Sequence, residues 1–102
     1  MMEPRTYNAS RLAEGNRLFP PSITIGEDGI TIKFPFILSG KEITILYNKV
    51  SAVKFTTPII GFSDLIIDTT WRDSFRIHGY TATEAKVIKS EILKRIALEV
   101  IV

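Results

Sequence analysis

The sequence predicts a mainly β domain of six or seven antiparallel strands, closed by one amphipathic helix at the C-terminus. Three observations carry this prediction. Apolar and polar residues alternate through most of residues 22–78. Turn-forming residues interrupt that alternation at short intervals. The period changes to 3.6 only once, after Thr81.

Taken in order, residues 1–21 read as a largely polar N-terminal arm ending in Pro20-Pro21, which enforces an extended chain and stops any helix there. Tyr7, Leu12, Leu18 and Phe19 are candidates to pack it on the domain, and a short helix or a first strand both fit. The domain proper spans residues 22–102. Ile23 and Ile25 mark a strand. Glu27-Asp28-Gly29 marks a turn in which glycine supplies a positive φ at little cost. Ile30, Ile32, Phe34, Phe36 and Leu38 keep one parity, with Pro35 placing a bend or a sheet edge inside that strand. Ser39-Gly40-Lys41 turns the chain into Ile43, Ile45 and Tyr47, and Asn48-Lys49 breaks the run. Val53 and Phe55 then face inward, Pro58 to Gly61 connect, and Phe62 to Thr69 form the next strand. Beyond the turn at Thr70-Trp71-Arg72-Asp73, Phe75 and Ile77 point in while Arg76 and His78 point out. Such a meander of hairpins is not a βαβ pattern. The helix opens on Thr81 with Glu84 three residues later, a capping box, and Ala85, Ile88, Ile92 and Ile96 form its apolar stripe. Glu91 stands four residues before Arg95, the favourable order for an exposed ion pair.

Composition excludes several classes of function. With 45% hydrophobic and 24% charged residues the 102-residue chain is globular and fits one domain. The net charge of +2 is spread along the chain, without the concentrated basic face of a nucleic-acid binder. The absence of cysteine removes disulfides, thiol catalysis and cysteine-ligated metals. The first residues lack the apolar run of a secretory signal, and no run approaches the roughly 18 residues of a membrane span, so a cytoplasmic protein is expected.

The segment Ile43-Thr44-Ile45-Leu46-Tyr47-Asn48-Lys49-Val50-Ser51-Ala52-Val53 resembles the strand, turn and strand of small bacterial pleckstrin-homology (PH)-like domains. As in those, it is followed by a strand with Ile66-Ile67-Asp68-Thr69, a short turn, Phe75-Arg76-Ile77-His78-Gly79-Tyr80 and a helix. The likeness covers residues 22–96, and a GRAM-type domain has nearly the same order of elements. It implies a PH-like barrel or sandwich and a non-enzymatic binding or assembly module, without cofactor or metal. Fold alone does not deliver function. The phosphoinositide site of the family needs basic residues beside the first hairpin loop, where this chain has Glu27 and Asp28, with only Lys33 nearby. Those acids repel a headgroup phosphate.

Candidate chemistry is thin. His78, the lone histidine, has only carboxylates to share a metal with, and a surface strand position accounts for it. Asp64, Asp68 and Asp73 fit no calcium loop; turn formation accounts for Asp64 and Asp73, and solvent exposure for Asp68. No Ser-His-Asp order, phosphate-cradling loop or zinc-protease motif occurs. Three features point to contacts instead. Trp71 and Arg72 sit in a turn, as an interface hot spot or as a tryptophan folded over a rim. Ile59 and Ile60 sit on a connection, where core packing is the favoured reading and an exposed apolar tip the alternative. Leu98, Ile101 and Val102 end the chain with apolar side chains beyond what the helix stripe needs, suited to the chain's own N-terminal arm or to a second copy. The expected function is a module that self-associates or binds a protein partner. The alternative is a peripheral membrane adaptor that meets anionic lipid through Trp71 and nearby basic residues.

Overall fold

The computed structural model describes residues 3–13, 20–35 and 40–101, with the side chains of residues 99–101 excepted. Seven antiparallel strands lie in two sheets, followed by one helix. The four-stranded sheet runs in order through β1 (Arg5–Asn8), β2 (Ser22–Ile25), β3 (Gly29–Pro35) and β4 (Gly40–Leu46). A 3-10 turn, Tyr47–Lys49, leads to the three-stranded sheet of β5 (Val50–Phe55), β6 (Ser63–Thr69) and β7 (Ser74–Tyr80). Helix α1 spans Ala82–Ile101. Among the described residues no ladder joins the two sheets, which stay separate layers rather than one closed barrel.

The period-2 pattern decides which faces meet. Ile23, Ile25, Ile30, Ile32 and Ile45 from the first sheet, and Val53, Leu65, Ile67 and Ile77 from the second, form one buried core. Ala85, Ile88 and Ile92 of α1 complete it, with Ile96 packed at its margin. Each fully buried aliphatic side chain contributes roughly 1.5–3 kcal/mol, so this core is the main stabilising term. On the outer face of the first sheet, Thr6, Thr24, Thr31 and Thr44 stand in one row across all four strands. Hydroxyl pairs at 2.9 Å join Thr6 to Thr24 and Thr31 to Thr44.

The arm forms the seventh strand. Arg5 to Asn8 pair with Ile25 to Ser22, and the arm then crosses to the other layer, where the Ser10 N–H donates to the Gly79 carbonyl at 2.8 Å. The buried Tyr80 hydroxyl reaches back to the Tyr7 carbonyl at 2.6 Å. Gly79 is the extra residue where the β6–β7 register shifts, and its φ of 125° is one that residues with a Cβ avoid.

Two sequence expectations change, and a third lies beyond what is described. Gly29 does not serve by a positive φ: it begins β3, and a side chain there would run into the Ile45 carbonyl of β4. Glu91 pairs with Arg5 at 2.6 Å, across to β1, rather than with Arg95 along its own helix. Strand β3 is described only as far as Pro35, which pairs with Gly40; the parity assigned to Phe36 and Leu38 lies outside the described residues.

Candidate functional site

The connection between β5 and β6 is a hairpin with a tied base. The Thr56 N–H donates to the Asp64 carbonyl at 3.0 Å, and the Asp64 N–H donates to the Thr56 hydroxyl at 2.9 Å. Above this base Ile59 and Ile60 are 101% and 90% exposed. The core-packing reading of these two side chains is therefore overturned: the anchored loop lifts them clear of both sheets. Scattered exposed isoleucines are ordinary on protein surfaces, but an adjacent pair wholly in water at one loop tip is not.

Below the tip, Asp64 organises the outer face. Arg76 Nη1 donates to its Oδ2 at 2.6 Å, and His78 Nδ1 lies 2.6 Å from its Oδ1. The Phe62 ring meets the imidazole edge-on, with centroids 6.5 Å apart. Asp64 is thus a strand residue and not a turn former. Its parity along β6 matches Asp68, and cross-strand neighbours Arg76 and His78 are what hold it. Asp68 in turn accepts from Ser74 and pairs with Lys54 at 2.8 Å. The Lys54 ammonium first, and the Ser74 hydroxyl second, hold its carboxyl below the usual carboxylate range. Asp73 does sit in the turn, where its carbonyl accepts from the Thr69 N–H and hydroxyl, both at 2.9 Å.

An aspartate–histidine pair is also the orienter and base of a hydrolytic triad. Here the same carboxylate is shared with Arg76, and a concavity of the described residues lies elsewhere. That concavity, a groove of about 460 Å³, runs between the start of β1 and the second half of α1. Pro4, Arg5, Glu91 and Arg95 line it, and Leu98, 50% exposed, closes one side. The C-terminal candidates thus divide. Leu98 borders this groove, Ile101 is the last helical residue with its side chain outside the description, and Val102 lies outside the described residues.

Trp71 and Arg72 occupy the β6–β7 turn, at the opposite end of β6 from Ile59 and Ile60. Seven strand residues separate the two places by about 20 Å. The residues singled out from sequence therefore form separate surfaces and not one site. Trp71 is 45% exposed, so its ring system is partly wet and partly covered. Arg72 has φ of 76°, a left-handed conformation unusual for a residue with a side chain.

Sequence reasoning missed the Asp64–Arg76–His78 cluster, although a signal existed: Asp64, Ile66 and Asp68 share the outward parity of β6. It also missed Ser63, whose buried hydroxyl has no hydrogen-bond partner among the described residues. Among the described residues no three histidine, aspartate or glutamate side chains gather as a metal site, and no helix is long and apolar enough to cross a membrane. The chain matches no known family model and no curated protein.

Proposed function

We propose that the chain is a non-enzymatic, PH-like interaction module that grips a protein partner with the Ile59–Ile60 hairpin tip. The carrying observation is that both isoleucines are fully in water on a loop whose base is fixed by two hydrogen bonds. Burying both against a partner would contribute roughly 3–6 kcal/mol before the cost of association. The tied base keeps the ordering part of that cost low, because the loop is already closed at Thr56 and Asp64. The order of elements supports the PH-like reading: antiparallel strands in two layers followed by one C-terminal helix are what the resemblance implies. The acidic Glu27–Asp28 turn, exposed beside Gly29, favours a protein over a lipid headgroup.

A photo-reactive amino acid placed at position 59 in the intact chain, expressed in its native host, tests this. One discrete protein adduct is expected, lost when Ile60 is changed to serine and absent when the probe stands at Ser51, an exposed position on β5. Adducts with lipid alone, or no adduct at all, would overturn the reading.

A further inference from the structure

Three connections meet at one pole of the molecule, and backbone hydrogen bonds stitch them into a row. The β2–β3 turn touches the 3-10 turn, where the Tyr47 N–H points to the Asp28 carbonyl at 3.4 Å. The 3-10 turn touches the β6–β7 turn, where the Thr70 N–H donates to the Lys49 carbonyl at 2.9 Å. The Tyr47 hydroxyl, bound to the Gly26 carbonyl at 2.5 Å, fixes the row from beneath.

The row carries an ordered set of surface features. At one end stand the acids Glu27 and Asp28, both exposed. Next comes a depression of about 270 Å³ lined by Asp28, Leu46, Tyr47 and Asn48, with Leu46 48% exposed. At the other end stand Lys49, the half-exposed Trp71 and Arg72. None of the four charges at the two ends makes an ion pair among the described residues. The left-handed backbone at Arg72 is a local cost, and such costs concentrate where a side chain must be presented in one direction.

We propose that this pole binds a second copy of the chain about a twofold axis. A patch that is acidic and hollow at one end, basic and protruding at the other, is complementary to itself when rotated by half a turn. With the axis through the 3-10 turn, the Trp71 turn of each copy faces the Asp28–Leu46 depression of its partner. Trp71 then covers Leu46, and Arg72 meets Glu27 and Asp28, so that three of the four unpaired charges find opposite charges. Tryptophan and arginine are also the residue types that most often dominate association energies. The inference uses no residue of the hairpin tip, so it and the proposed function stand or fall separately.

Sedimentation of the intact chain over a concentration series tests it, with emission of Trp71, the one tryptophan, as a second readout. The expected result is a monomer–dimer equilibrium, weakened by salt, with a blue shift of emission as dimer forms. Trp71→Ala should weaken association about tenfold or more. Arg72→Glu alone and Asp28→Arg alone should each be monomeric. An equimolar mixture of the two should dimerise better than either alone, because both contacts between positions 72 and 28 of the mixed pair are then of opposite sign. Circular dichroism of each variant shows that it folds. A wild-type chain monomeric at every concentration would overturn the proposal, as would a dimer indifferent to Arg72→Glu. Emission that shifts only on adding anionic phosphatidylserine vesicles would do the same, by assigning the pole to lipid.

Discussion

Tyr80 shows how one side chain ties the two layers together and sets a pH limit on the fold. Its ring is fully buried and its hydroxyl donates to the Tyr7 carbonyl of β1. Burial, aided by the nearby Glu84 carboxylate, pushes the phenol well above its ordinary value. The unfolded phenol loses its proton near pH ~10, so above that the unfolded chain releases a proton that the folded chain keeps. The stability from this group is therefore complete below pH ~10 and declines as pH rises further. Tyr80→Phe should cost about 1 kcal/mol at neutral pH, by losing the hydrogen bond to the Tyr7 carbonyl. It should also remove up to about 1.4 kcal/mol per pH unit of alkaline destabilisation. Tyr7, raised chiefly by burial and then by its hydrogen bond to Glu91, leaves a residual slope. Urea midpoints of both chains at neutral and alkaline pH decide it; parallel pH profiles would contradict the assignment. Single residues were the least legible level of the sequence. Asp64 reads as a turn former by composition, yet its neighbours across the ladder are Arg76 and His78, and no local pattern reports a cross-strand partner. Ile59 and Ile60 read as core for the same reason: hydrophobicity says what a side chain prefers, while the Thr56–Asp64 closure decides where it points.

At the scale of elements the sequence was far more transparent, because periodicity and capping are local. The capping box at the start of α1 forms as its spacing implies: the Glu84 N–H donates to the Thr81 hydroxyl at 3.1 Å and the Thr81 N–H to Glu84 Oε1 at 3.0 Å. Each satisfies a backbone or side-chain group that the first turn leaves open. Thr81→Ala should lower stability by about 1 kcal/mol, and Thr81→Ser should largely keep it, measured by thermal unfolding. Equal losses in the two variants would place the effect in the threonine methyl instead. Residues 5–8 fit a helix as well as a strand in the sequence for an equally physical reason. Of Arg5, Thr6, Tyr7 and Asn8 only Tyr7 is even half-buried, so the strand has no alternating apolar signal. What makes it a strand is the ladder to β2, a pairing that spans the proline pair and leaves no trace in its own four residues.

For the whole molecule, the arm is the element that belongs to both layers, and this sets the last prediction. It contributes β1 to the first sheet, the Ser10–Gly79 bond to the second and the Arg5–Glu91 pair to the helix. Ala9 and Ala13, also on the arm, are buried. Were the arm dispensable, the remainder beginning at residue 22 would fold unchanged without it. The contacts imply the opposite. A chain starting at Ser22 loses several hydrogen bonds of about 1 kcal/mol each, so its stability should fall by on the order of 4 kcal/mol. It also uncovers β2 as a sheet edge, half of whose residues are isoleucine, which should make it prone to pair with other chains. Denaturant unfolding of residues 22–102 beside the full chain, with light scattering of both, measures the two effects. If the shortened chain unfolds at the same denaturant concentration and stays dispersed, the arm is a passenger and the two sheets are held by the core and α1 alone.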